Sequence, residues 1–242
     1  MASVSFCAVV LLQVVAVGSA NGADWPTARL NPQRNAFSEQ PIEAALLEPA
    51  WVYRSSNPPS PAWHGPAKWD AYGDVRMHSM RNYDEVFQLI AVGSEIYFGS
   101  SVDDSVTSID AATGRENWSY FTDGPVRIAP TFHSGKLYFG SDDGYAYCVN
   151  ADDGKQIWKF RPQDPERLVI NNGRFVPLLP VRSGVVVDGG VAYFAASLLP
   201  WKSSYLCAVD AESGSAAGED LYVRELENMT FEGPLAISPR LV

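Results

Sequence analysis

Ile109-Asp110-Ala111-Ala112-Thr113-Gly114, Val149-Asn150-Ala151-Asp152-Asp153-Gly154 and Val209-Asp210-Ala211-Glu212-Ser213-Gly214 are three writings of one phrase. Each sets an apolar residue, a short polar residue and an alanine ahead of two variable positions and a glycine. Four residues past the glycine, the first two copies carry Trp118 and Trp158. Gly114 and Gly154 stand 40 residues apart. A strand-turn-strand phrase at that period reads as an array of propeller blades rather than as a single core.

Working outward, an aromatic pair precedes each phrase: Tyr97-Phe98-Gly99-Ser100, Tyr138-Phe139-Gly140-Ser141 and Tyr193-Phe194-Ala195-Ala196. Before each pair sits a polar turn, Gly93-Ser94-Glu95, Ser134-Gly135-Lys136 or Asp188-Gly189-Gly190, with the glycine that tight hairpins require. Pro125-Val126-Arg127 and Pro180-Val181-Arg182 each lie 13 residues before the aromatic tyrosine, a second landmark in the same register. Runs such as Gly184-Val185-Val186-Val187 and Val191-Ala192-Tyr193-Phe194 are β-branched, aromatic and nearly uncharged, as strands covered on both faces are. Helical periodicity is hard to find after residue 24. The fold class is therefore all-β, with four-stranded antiparallel blades.

About three blades are legible between residues 84 and 224, and Gly233-Pro234-Leu235-Ala236-Ile237-Ser238-Pro239 matches Gly124-Pro125-Val126-Arg127-Ile128-Ala129-Pro130 as the start of a fourth. Propellers close at about four to eight blades, so the expectation is an incomplete ring, truncated at its C-terminal side. Pro49-Ala50-Trp51-Val52-Tyr53 repeats the Trp-x-aromatic pattern of Trp118-Ser119-Tyr120 and Trp158-Lys159-Phe160. It reads as a lone outer, ring-closing strand. The organisation expected is a signal peptide over 1–23, an N-terminal segment over 24–83 and propeller repeats over 84–242.

Residues 1–23 are uncharged, with an apolar run from Phe6 to Val17 followed by Gly18-Ser19-Ala20. That run is too short to span a bilayer and suits a signal-peptide core, which predicts a periplasmic or secreted protein with no membrane anchor. The net charge of −10 disfavours nucleic-acid backbones as partners. Beyond the leader, Cys148 and Cys207 are offset by one strand register, an arrangement read as two buried free thiols rather than a disulfide.

The phrase Asp110-Ala111-Ala112-Thr113-Gly114-Arg115-Glu116-Asn117-Trp118 resembles the tryptophan-docking motif of the pyrroloquinoline-quinone-like propeller repeats. The resemblance runs over roughly residues 84–242. It implies that Asp110 and Thr113 bond within their turn, and that Gly114, Gly154 and Gly214 pack beneath a tryptophan of a neighbouring blade. Trp118 and Trp158 would be two of those tryptophans. The third copy keeps Asp210 and Gly214 but has Gly218 where a tryptophan is expected, so that blade must be docked by another residue.

Enzymes of that family that oxidise alcohols or sugars hold the quinone over a tryptophan floor, often beneath a disulfide between adjacent cysteines. A calcium ion bound by Glu, Asn and Asp assists them. This sequence has no adjacent cysteines, and none of its acidic residues aligns with that ligand set. No cofactor is expected, with pyrroloquinoline quinone and calcium as the alternative.

Arg127 and Arg182 occupy equivalent positions at the start of innermost strands, where they are candidate channel-facing contacts for an anionic ligand, or partners for acidic turn residues of the ring. Asp103-Asp104, Asp142-Asp143 and Asp152-Asp153 are read as turn chemistry, and no catalytic constellation is visible. Two insertions, over residues 57–82 and 161–179, interrupt the repeat and are candidate recognition loops. The reading is an exported binding or assembly scaffold that takes a protein or small-molecule ligand at the propeller face or the insertions. The alternative is the N-terminal part of a periplasmic quinone-dependent alcohol or sugar dehydrogenase.

Overall fold

The computed structural model describes residues 23–41, 48–59, 87–163, 167–171, 174–199, 201–231 and 233–238. All but the last residue of the expected leader, and most of the first insertion with Trp63, His64 and Trp69, lie outside the described residues. Three four-stranded antiparallel sheets follow one another along the chain. The first holds β1 (Leu89–Val92), β2 (Glu95–Ser100), β3 (Ser105–Asp110) and β4 (Glu116–Phe121). The second holds β5 (Thr131–His133), β6 (Lys136–Gly140), β7 (Ala146–Asn150) and β8 (Gln156–Phe160). Between it and the third lies a separate hairpin, β9 (Leu168–Asn171) and β10 (Arg174–Pro177). The third holds β11 (Val186–Asp188), β12 (Val191–Ala196), β13 (Ser204–Asp210) and β14 (Tyr222–Leu226).

Each sheet is a simple meander, and a short glycine turn returns the second strand of each blade beside the first. Ser134-Gly135 and Gly189-Gly190 both have two consecutive positive φ angles, 49° and 74° in the first and 56° and 80° in the second, the backbone a two-residue hairpin turn demands. The described residues contain no α-helix. This is the all-β, four-stranded blade architecture of a partial propeller.

The middle blade shows why its inner strands are largely apolar. Leu137, Phe139, Tyr147 and Val149 face the first blade in one buried cluster, whereas Tyr138, Ala146, Cys148 and Trp158 face the third in another. Side chains alternate across a strand, so successive residues of β6 and β7 serve opposite interfaces, while the outer β8 leaves Gln156, Ile157 and Lys159 exposed. Cys148 and Cys207 are both fully buried and free. Their one-residue offset places them in the same layer, Cys148 from the second blade and Cys207 from the third. Burial raises both thiols to about 12.

The third blade corrects the reading of Gly218. Trp118 pairs with Ser108 and Trp158 with Cys148, each two residues before the turn aspartate or asparagine. In β13 the matching residue, Ala208, pairs with Tyr222. The turn is four residues longer in this copy, so counting from Gly214 landed in the connection, and a half-buried tyrosine holds the tryptophan's register position.

A second departure concerns residues 24–37. Trp25 forms an antiparallel bridge with Ala91 of β1, and the Phe132 amide donates to the Pro26 carbonyl at 2.7 Å. The Thr27 and Thr131 hydroxyls share a 2.7 Å hydrogen bond, and Thr131 donates in turn to the Val185 carbonyl at 2.6 Å. The Ile237 amide donates to Pro32 at 2.9 Å. The innermost strands of the first two blades and the start of the fourth all touch this segment, and the third is linked to it through Thr131.

Candidate functional site

The blades are joined by a repeated lock. Trp51, Trp118 and Trp158 donate their indole N–H groups to the carbonyls of Ala111, Ala151 and Ala211 at 2.8, 3.0 and 3.0 Å. Those alanines are the third residues of the three turn phrases. Each ring lies flat on the phrase's glycine: a Cβ built on Gly154, whose φ is +70°, would stand 2.6 Å from Trp118. Gly114 meets Trp51 and Gly214 meets Trp158 in the same way. Tyr138 donates to the Ala211 carbonyl as well, at 3.1 Å, so one carbonyl satisfies two aromatic donors. Two residues beyond each tryptophan, Tyr53, Tyr120 and Phe160 pack edge-on against Phe98, Phe139 and Phe194. Residues 48–59 have no ladder partner, yet Trp51 and Tyr53 make the contacts of an outer strand.

The turns themselves are tied by their acidic residue. Thr113 donates its amide at 2.7 Å and its hydroxyl at 2.6 Å to Asp110, and Ser213 repeats the pattern on Asp210 at 2.8 and 2.6 Å. Those bonds hold both carboxyls below their ordinary range. In the second copy Asn150 takes the role, accepting from the Asp152 amide at 2.8 Å.

At the opposite end of the blades lie the β2–β3, β6–β7 and β12–β13 turns and the connections that cross from blade to blade. Arg127 and Arg182 both reach the β6–β7 turn. Arg127 donates through Nε and Nη2 to Asp142 Oδ2 at 3.0 and 2.8 Å, and Arg182 donates to Oδ1 and Oδ2 at 3.1 Å each. The Asp142 side chain is 1% exposed. Burial alone would raise its pKa, but the Arg182 and Arg127 guanidiniums together hold it below the usual range. The two arginines thus converge on a turn carboxylate, one of the two sequence readings for them, and Ala236 stands at the matching position of the third copy in the sequence.

Asp143, beside it, is the mirror case. Burial raises its pKa even though it accepts from the Tyr147 hydroxyl at 2.6 Å and from the Tyr145 and Asp123 amides at 3.0 and 3.2 Å. Asp142-Asp143 is therefore an interior anchor, where the sequence suggested an ordinary turn. Asp103 does follow turn chemistry, accepting from Ser100, and it also receives the Asn57 amide at 2.7 Å. That bond roots the start of the first insertion on this same crossover face.

The second insertion is rooted there too. It leaves β8 at Arg161, and a small, shallow cleft opens between it and the β6–β7 turn, lined by Asp143, Arg161, Arg167, Pro177 and Leu179 among others. Lys159 and Arg161 sit over the Tyr145 ring at 4.5 and 5.1 Å. In the N-terminal segment, Arg34 donates to the carbonyls of Leu235 at 2.8 Å and Ala28 at 2.7 Å and to the Thr27 hydroxyl at 2.6 Å. Burial, with Arg29 nearby, lowers its pKa to about 10. Nothing in the repeat pattern pointed to this residue, because the segment that carries it has no copy elsewhere in the chain.

The described residues do not fit a quinone–calcium centre. No three His, Cys, Asp or Glu side chains among them converge on one point, and Asp142 has both oxygens engaged by guanidiniums. Calcium asks for about six or more oxygens around one position.

Two curated relatives, the dehydrogenase subunits of the quinone alcohol dehydrogenases of Gluconacetobacter polyoxogenes and Komagataeibacter europaeus, are each 30% identical over 121 residues, 44% of this chain and 16% of theirs. The chain spans about one sixth of the length of these relatives. Among solved structures, a europium-containing methanol dehydrogenase aligns at a TM-score of 0.44 and 17% identity, over 53% of this chain and 24% of that one. Residues 65–228 match the family model described as outer membrane protein assembly factor BamB. That match takes in more than half of the sequence, and the chain belongs to this family of pyrroloquinoline-quinone-like β-propeller repeats.

Proposed function

We propose that this protein is an exported scaffold that binds another protein on its crossover face. The observation that supports this most strongly is the placement of the insertions. Both leave the propeller on the face that carries the Arg127–Asp142–Arg182 anchor. The same face exposes Ile170, Phe175 and Trp201, each more than 70% accessible. Large apolar side chains held in water on a rigid scaffold favour protein contact. In this reading the tryptophan–glycine locks are the family's docking motif and are structural, with the envelope as the place of action.

A second reading is a quinone-dependent alcohol or sugar dehydrogenase, favoured by the names of the curated relatives. One experiment separates the two. The full chain is heated with and without pyrroloquinoline quinone and calcium, and dye reduction is followed with an alcohol or a sugar. The scaffold reading predicts an unchanged melting temperature and no reduction. Stabilisation with dye reduction would replace it by the dehydrogenase.

A further inference from the structure

Tyr97, Tyr138 and Tyr193 occupy one position in the three blades, and the ladders carry each of them across the sheet to a residue of the outer strand. The rows are Tyr97–Ser108–Trp118, Tyr138–Cys148–Trp158 and Tyr193–Ala208–Tyr222. Residues paired in one row lie on one face of their sheet. In the first two rows both ends donate to a single carbonyl of the next blade's turn phrase. Tyr97 and Trp118 reach Ala151 at 3.4 and 3.0 Å, as Tyr138 and Trp158 reach Ala211 at 3.1 and 3.0 Å. In the third row the side chains of Tyr193 and Tyr222 are half-buried, and their hydroxyls have no hydrogen-bond partner among the described residues. Two half-buried donors in the register of two satisfied pairs call for an acceptor.

This chain's own phrases do not supply one. Ala111 is taken by Trp51, Ala151 by Trp118 and Ala211 by Trp158. A fourth phrase is needed, and the chain shows the side from which it comes. Gly233–Ser238 repeats Gly124–Ala129 and lies beside the third blade, where the Gly233 amide donates to the Arg182 carbonyl at 3.3 Å.

Two substitutions set this joint apart from the others. A Cβ built on Gly99 or Gly140 would stand 2.7 or 2.5 Å from the side chain of Val126 or Val181, whereas the third blade has Ala195 at that position. Arg224 follows Tyr222 by two residues, where Tyr53, Tyr120 and Phe160 meet a phenylalanine of the next blade. With the glycine contact and the edge-on aromatic pair both replaced, the two hydroxyls carry the recognition.

We infer that the Tyr193–Tyr222 pair is the docking site for a fourth turn phrase, carried by the blade that Gly233–Ser238 begins. That phrase sets an apolar residue, Asp or Asn, and Ala ahead of two variable positions and Gly, and its alanine carbonyl accepts from both hydroxyls, as two lone pairs allow. The inference is independent of the scaffold reading and holds equally for a dehydrogenase.

The protein isolated from the cells that make it tests this in two ways. In urea denaturation, Tyr138→Phe removes one hydroxyl from a lock whose acceptor is known and is expected to lower the folding constant about fivefold. Tyr193→Phe is expected to lower it by the same factor to within about threefold. A Tyr193→Phe variant as stable as the parent, beside a weakened Tyr138→Phe, overturns the inference, because a hydroxyl that faces water loses nothing. In the second test, p-benzoylphenylalanine in place of Tyr222 is irradiated and the adduct is sequenced. The expected adduct lies within one chain and joins a peptide that carries the phrase. An adduct to a second copy, to a different protein or to a peptide without the phrase overturns the inference, and so does the absence of any adduct.

Discussion

A single carbonyl, that of Ala211, accepts from Trp158 at 3.0 Å and from Tyr138 at 3.1 Å while the indole ring covers Gly214. Trp158 is 6% exposed, and Trp118 is only half-buried in the equivalent place. Trp158→Ala is therefore expected to cost about 3–5 kcal/mol and Trp118→Ala less, whereas Trp158→Phe gives up mainly the indole hydrogen bond, about 1 kcal/mol. Gly154→Ala must fit a methyl against Trp118 in a left-handed backbone, a loss of about 1–3 kcal/mol. Urea denaturation of the four variants checks the order. Asp142 and Asp143 act in opposite directions as pH changes. The Asp142 pKa is held below 3.8, so its contribution is present above that pH and is lost as pH falls through the folded value. The Asp143 pKa is raised above 3.8, so its ionised form weakens the fold and protonation relieves it as pH falls through its higher folded value. Asp142→Asn leaves two guanidiniums without their buried carboxylate and is expected to cost about 3–5 kcal/mol at neutral pH. Asp143→Asn should instead flatten the rise in stability on mild acidification. Melting temperatures between pH 3 and 7 distinguish the two.

At the scale of the blade, the strands and turns were legible because a repeated unit writes the same chemistry several times. Tyr-Phe pairs, glycine turns and the Asp-Ala phrase agreed on one register, and the three sheets follow it. The third blade defeated residue counting because four extra residues in its turn moved the docking position from Gly218 to Tyr222, and ladder pairing, which counts from the other strand, restores it. Tyr222 carries Arg224 over its ring at 4.9 Å, where the other blades carry an aromatic residue two positions on. Tyr222→Ala is expected to destabilise less than Trp158→Ala, since its side chain remains partly in water. The β9–β10 hairpin was hidden for a different reason: it occurs once, so no second copy marked it as ordered. The cysteine reading of two buried free thiols holds, although the one-residue offset that separates faces within a blade brings Cys148 and Cys207 into one layer between blades. With both thiols buried and raised to about 12, iodoacetamide should label neither in the native chain, and both after unfolding in urea.

For the whole molecule, the decisive feature is what gathers on the crossover face. The insertions, the arginine pair and the exposed apolar side chains lie there, while residues 24–37 are held against the inner strands by Trp25, Thr27 and Arg34. The sequence announced the insertions by breaking the repeat, but the N-terminal segment has neither periodicity nor repeat, and only tertiary contact reveals it. Arg34→Ala removes hydrogen bonds to Leu235, Ala28 and Thr27, and is expected to speed amide exchange at Phe132 and Ile237, whose amides bond to that segment. The account stands most directly on which end meets a partner. A photo-crosslinking amino acid placed at Ile170 or Trp201 on the crossover face, and at Asp152 or Glu212 on the opposite turns, measures this in the cell that makes the protein. The account predicts one protein adduct of defined mass from the first pair of positions and none from the second. Adducts from the opposite turns alone, or from no position, would contradict it.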